Sequence, residues 1–196
     1  MKLSRILAAL LLSAISVSSF AQSARVRGEI EKLDNSILTI KTKDATVFHI
    51  KLEDTAKVTA MAAASLADIS TGKFVGTAAR PGSNGQLVAL EVHIFPESMR
   101  GTGEGHRPMD NENTMTNATV ENVVTAVHGR ILTLHYKGGE QQVQIPDGVP
   151  IVMLSPSDRS ALTPGEHVSI RATKQADGSI STARVTVGLN GLVPPL

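Results

Sequence analysis

The sequence predicts an all-β fold with a short helix in each half, arranged as tandem OB-like five-stranded antiparallel β-barrels. Three observations predict it. Apolar residues alternate with polar ones over runs of strand length, turn-forming residues separate those runs, and the order of elements in the first half of the chain recurs in the second.

Residues 24–52 read as three strands, at 26–33, 36–42 and 46–52. The dipeptides between them, Asp34-Asn35 and Lys43-Asp44, suit tight hairpins because Asn and Asp tolerate positive φ. The period then changes. Residues 60–69 are rich in Ala and hold no β-branched side chain before Ile69, which predicts a short helix ended by Gly72. Alternation returns at 73–79 and 86–95, on either side of a turn carrying Pro81-Gly82 and Asn84-Gly85.

The second half repeats this order. The string SILTI at 36–40 corresponds to RILTL at 130–134, an offset of 131 − 37 = 94. Ile69, Gly72, Gly85 and Leu87 correspond to Leu162, Gly165, Gly178 and Ile180, an offset of 93. Strands are expected at 118–127, 130–136, 140–145, 166–173 and 179–187, and the helical insert shrinks because Pro156 and Pro164 interrupt it. The predicted organisation is therefore a leader at 1–21, a first barrel at 22–95, a Gly-rich hinge at 96–117, a second barrel at 118–190 and a tail at 191–196.

The leader is read from Lys2 and Arg5, the apolar run 6–17, and the small residues Ser19 and Ala21 at signal-peptidase spacing. That run is shorter than the roughly 20 apolar residues of a membrane span, so the mature chain is expected in the periplasm without membrane insertion. Cysteine is absent, which excludes both a lipoprotein anchor and disulfides. Cleavage leaves 17 basic against 18 acidic residues, a formal net charge of −1. Such a balance, with one Tyr, no Trp and four Phe in the whole chain, disfavours nucleic-acid binding.

Catalytic signatures are missing from the sequence. There is no G-x-S-x-G elbow and no cysteine, and His49, His128, His135 and His167 are dispersed, so the chain is read as a non-enzyme. The run Gly101, Gly103, Gly105 follows a strand, but Arg107-Pro108 comes next where a phosphate loop needs a helix N-terminus. Arg100, Gly101, Gly103, Gly105, Arg107 and Pro108 are accordingly read as hinge and interface residues. Metal chemistry is the sharper expectation for this stretch. His93, Met99, Glu104, His106, Met109 and Asp110 offer the imidazole, thioether and carboxylate donors that suit Cu or Zn in a protein without thiols.

The strings VRGEIEKLDNSILTI and SLADISTGKFVGTAA, and above all VHIFPESMRGTGEGHRP at 92–108, resemble a family of exported bacterial proteins built from OB-like repeats and classed as a domain of unknown function. The resemblance covers most of the mature chain and implies no activity. Some similar proteins are labelled metal-transporter components, whereas this sequence has no span beyond its leader. The expected function is that of a non-catalytic periplasmic binding or envelope-interaction protein with an envelope protein as partner. The alternative is a metal-binding accessory protein that uses the hinge.

Overall fold

The computed structural model describes residues 23–83, 85–109, 111–126 and 129–195. The expected leader and Asp110 lie outside the described residues. The rest is β-structure: β1 (Ser23–Asp34), β2 (Ile37–Lys41), β3 (Val47–Ala63), β4 (Phe74–Pro81), β5 (Leu87–Ile94), β6 (Gly105–Pro108), β7 (Thr114–Thr125), β8 (Arg130–Tyr136), β9 (Gly139–Ile145), β10 (Ile151–Ser157), β11 (His167–Lys174) and β12 (Ile180–Gly188). No helix among the described residues is long and apolar enough to cross a membrane.

The strands close into two rings, and neither ring follows the expected boundaries 22–95 and 118–190. In the first, β1–β2–β3 closes through a parallel β3–β12 pair and an antiparallel β11–β1 pair. In the second, β7–β8–β9 closes through a parallel β5–β9 pair and an antiparallel β4–β7 pair. Each ring thus takes three strands from one half of the chain and two from the other. Periodicity identifies a strand and its buried face. It carries no information about which of two similar strands will be the neighbour.

Each ring has its own aliphatic core. Val26, Ile30, Leu38, Ile40, Ile50 and Leu52 pack with Val168, Ile170, Val185 and Val187 in the first. Val75, Val92 and Ile94 pack with Val120, Leu132, Leu134, Val143 and Ile145 in the second. Alternation places these side chains inward. At Gly28 the strands cross so closely that a Cβ would strike the Lys41 carbonyl oxygen and the Ile40 side chain. A third cluster, Met61, Phe74, Phe95, Val152 and Leu154, joins the rings where β3 runs antiparallel to β10.

The expected helix at 60–69 is not formed. β3 continues to Ala63, because residues 58–63 pair with β10 and residues 57–61 pair with β12. Only one 3-10 turn remains, at Leu66–Asp68, where Ser65 and Asp68 close a capping box. Its counterpart is the 3-10 turn Arg159–Ala161, with the Asp158 side chain accepting from the Ser160 amide at 2.8 Å. Ladder hydrogen bonds on both edges of β3 outweigh the few tenths of a kcal/mol per residue by which Ala favours helix. In the second half the equivalent of β3 is cut in two, as β9 and β10, because Pro146 and Pro150 flank a turn at Gly148.

The exchange is testable because the chain has no native cysteine. Arg25 and Arg171 are exposed and face each other across β1–β11. The double variant Arg25→Cys, Arg171→Cys is expected to form an intramolecular disulfide on mild oxidation, read by peptide mass mapping. A chain that folds natively yet forms no such link would mean that β1 does not lie beside β11.

Candidate functional site

The stretch expected to be a hinge is an ordered strap laid over the outer face of the second ring. It holds a 3-10 turn at Glu97–Met99 and then β6, which pairs with β7 from Gly105↔Asn117 to Pro108↔Thr114. Arg107 and Pro108 are therefore strand residues. Gly101, Gly103 and Gly105 all adopt positive φ, which lets the strap turn sharply before β6 begins.

Polar contacts pin the strap along its length. Arg100 donates to the Gly72 carbonyl at 2.8 Å, to Thr119 Oγ1 at 3.2 Å and to both Glu97 oxygens at 2.5 and 2.7 Å. Its guanidinium also lies 5.9 Å from the Phe74 ring centroid, within cation–π range. Asn117 donates to the Thr102 carbonyl at 2.9 Å, and Arg107 donates to the Gly103 carbonyl at 2.8 Å. Glu104 accepts from the Lys137 amide at 3.0 Å, fastening the strap to the β8–β9 turn.

These contacts employ the side chains that the sequence offers as metal ligands. His106 Nδ1 is 2.8 Å from Thr116 Oγ1, Glu104 caps the Lys137 amide, and Met99 packs against the third apolar cluster. Met109 is half-buried, its amide bonded to the Asn113 carbonyl at 2.7 Å. His93 lies under the strap, with Nδ1 3.5 Å from Glu91 Oε1; their side chains are only 11% and 3% exposed. The imidazole meets Phe95 edge-on at 5.0 Å between centroids and fills the space where Gly76 has no side chain. Among the described residues, His93, Glu104 and His106 do not form a converging group of ligand atoms.

Another set does. Glu121, His135 and Glu140 bring one ligand atom each to within 4.8 Å of one another, the one group of three or more His and carboxylate side chains that does so among the described residues. They come from three adjacent strands. His135 and Glu140 face each other across β8–β9, and Thr119 faces His135 from β7. Glu121 reaches the same face because β7 bulges between Val120 and Asn122. All three are exposed, and none makes a side-chain hydrogen bond or ion pair with another described residue. The strap borders them through Arg100 on Thr119 and Glu104 on Lys137.

The first ring supplies an internal control. β1 bulges at the same place, between Ile30 and Lys32, and the extra residue is again a glutamate, Glu31. The positions corresponding to His135 and Glu140 are Lys41 and Val47, paired across β2–β3. The bulge therefore belongs to the ring geometry, and what distinguishes the second ring is an imidazole facing a carboxylate beside it.

Two of the three residues were legible. A Lys137-Gly138 turn implies a two-residue hairpin and so places His135 opposite Glu140. Glu121 was not legible, because a bulge inserts a residue without changing local composition. Comparison with protein families, with curated proteins and with solved structures returned no match to this chain.

The strap anchor responds to acid. The hydrogen bond from Arg100 holds the Glu97 carboxyl below its ordinary 4.5, with the Arg100 charge adding to it. A carboxyl depressed by folding contributes stability above its unfolded value, and that contribution is lost as pH falls through the folded value. The anchor is expected to persist at pH 5 and to release in stronger acid. Carboxyl-carbon NMR should place the Glu97 midpoint below 4.5, returning to the ordinary range in Arg100→Ala. A wild-type midpoint at or above 4.5 would show the contact to be unimportant in solution.

Proposed function

We propose that this chain is an exported, non-catalytic binding protein of two OB-like rings, and that it binds a divalent transition-metal ion, Zn(II) foremost, at Glu121, His135 and Glu140. The observation that carries the reading is the convergence of these three side chains, otherwise without partners, on neighbouring strands. One imidazole and two carboxylates suit Zn(II), and the absence of a thioether from the set disfavours Cu(I). Zn–N and Zn–O bonds of about 2.0–2.2 Å put tetrahedral donors about 3.4 Å apart, so the three side chains close in by a rotamer adjustment.

Three protein donors leave a fourth coordination position open. The site lies on an exposed sheet face with no walls to exclude water, which suits exchange of the ion more than hydrolysis. An envelope protein that hands over or receives the ion would supply the fourth ligand. Export rests on the leader at 1–21. The OB-like reading is supported by the ring order, first–second–third–fifth–fourth, once the two borrowed strands are counted as fourth and fifth. A tandem origin is supported by the offset of 154 − 61 = 93, which carries Met61 to Leu154; the two face each other across β3–β10.

Calorimetric titration of the metal-stripped protein with Zn(II) is expected to give one ion per chain, weakening as the solution is acidified because protons compete for the ligands. His135→Ala should weaken binding by more than the roughly 10- to 100-fold that loss of an outer-shell partner costs, and His106→Ala should leave it unchanged. No saturable heat, or full affinity in His135→Ala, overturns the assignment. A constructive check uses the first ring: Lys41→His with Val47→Glu beside Glu31 should raise the stoichiometry from one ion to two. Failure of that variant to gain an ion, with its fold intact, would show that the three residues are insufficient.

A further inference from the structure

A groove of about 620 Å³ separates the strap from the first ring, on the face away from that ring's core. One wall is the strap itself, through Ser98, Met99 and Thr102, and the other is the parallel pair β3–β12. On that wall Lys57 lies directly in register with Arg184, just past the irregularity between Thr182 and Arg184. Both cations line the groove, and among the described residues no carboxylate does. Both are exposed, and among the described residues neither makes an ion pair or a side-chain hydrogen bond.

Two like charges held in register on one face of a sheet repel, and nearby carboxylates usually relieve such a pair. The carboxylates nearest Lys57 in the chain do not line the groove: Asp54 is absent from its lining, and Glu53 is engaged elsewhere, its side chain accepting from Ser181 Oγ at 3.2 Å and its carbonyl from Arg159 at 2.9 Å. The rest of the lining is short and neutral. Hydroxyls come from Thr59, Ser98, Thr102, Ser157 and Thr186, and Met99 contributes an apolar floor. Two convergent cations over a hydroxyl-lined floor match an oxyanion attached to a polar body, and the volume is that of a metabolite-sized pocket.

We infer that this groove binds a small organic anion, its phosphate or carboxylate group held between Lys57 and Arg184 and its polar body against the strap hydroxyls. The site is distinct from the Glu121–His135–Glu140 cluster and does not depend on a metal. Because the strap forms one wall, an occupant would bridge strap and first ring and hold the two together. That gives the strap a role beyond connecting chain segments.

The test is a ¹⁵N–¹H NMR titration of the purified protein with three probes of one body: glucose 6-phosphate, glucuronate and uncharged glucose. Saturable shifts are expected at 57–59, 98–102 and 184–186 with one or both anions and not with glucose. The preferred anion identifies the head group. Lys57→Ala with Arg184→Ala should weaken binding at least about tenfold, since a hydrogen bond to a charged group contributes roughly 1.5–3 kcal/mol and 1.4 kcal/mol is tenfold. Lys57→Arg should retain most of it. Circular dichroism on each variant establishes that the fold is kept. Glucose binding as well as the anions, absence of shifts in these segments with both anions, or unchanged affinity in a folded double-alanine variant each overturns the proposal.

Discussion

Two of the three parallel pairings, β3 with β12 and β5 with β9, close the rings and hold this architecture together. Parallel neighbours cannot be joined by a hairpin, so each closure must be made by chain that has travelled elsewhere first. In both rings the closing strand comes from the opposite half of the sequence. The halves therefore cannot separate without opening both rings, and the core of each ring mixes residues from both halves. The 17-residue β3 is the central member, since it closes the first ring with one stretch and meets β10 with the next.

The strap follows from that closure. With β4 and β5 committed to the second ring, the chain must return from β5 to β7, and both flank β4. It does so over the outer face, where Gly76 leaves room for His93 and the third apolar cluster offers Met99 a seat. Arg100, Asn117 and Arg107 donate to the Gly72, Thr102 and Gly103 carbonyls and so fix the path of the crossing. The polar richness of this segment, which in isolation suggests ligand binding, is thus largely consumed in fixing a path. At its borders lie the Glu121–His135–Glu140 cluster on one side and the Lys57–Arg184 pair on the other, neither with an ion pair or side-chain hydrogen bond to another described residue.

Legibility varied with the physical origin of each feature. The strands at 130–136 and 140–145 were read almost to the residue, because alternation and a two-residue turn constrain them tightly. The strand at 46–52 was cut short, since residues 56–63 hold Ala and Met whose helical propensity is overridden only by partners far away in sequence. β10 was missed for the same reason: Ile151–Leu154 is a short apolar run whose identity depends on the β3 and β5 edges it joins. The metal expectation weighed ligand types along the chain, whereas His135, Glu140 and Glu121 meet across three strands.

By itself the sequence determined that this chain is β-structured, aliphatic in its cores and free of disulfides, because these properties are set by local periodicity and composition. Only the tertiary structure decided which half completes which ring, that the presumed hinge is a strap, and which ionisable side chains end up without partners. Alternation marks a strand and its buried face but does not name its neighbour, so local pattern leaves open which strands close each ring. That choice rests on the packing of β3 against β10 and on the parallel closures, contacts between residues far apart in sequence.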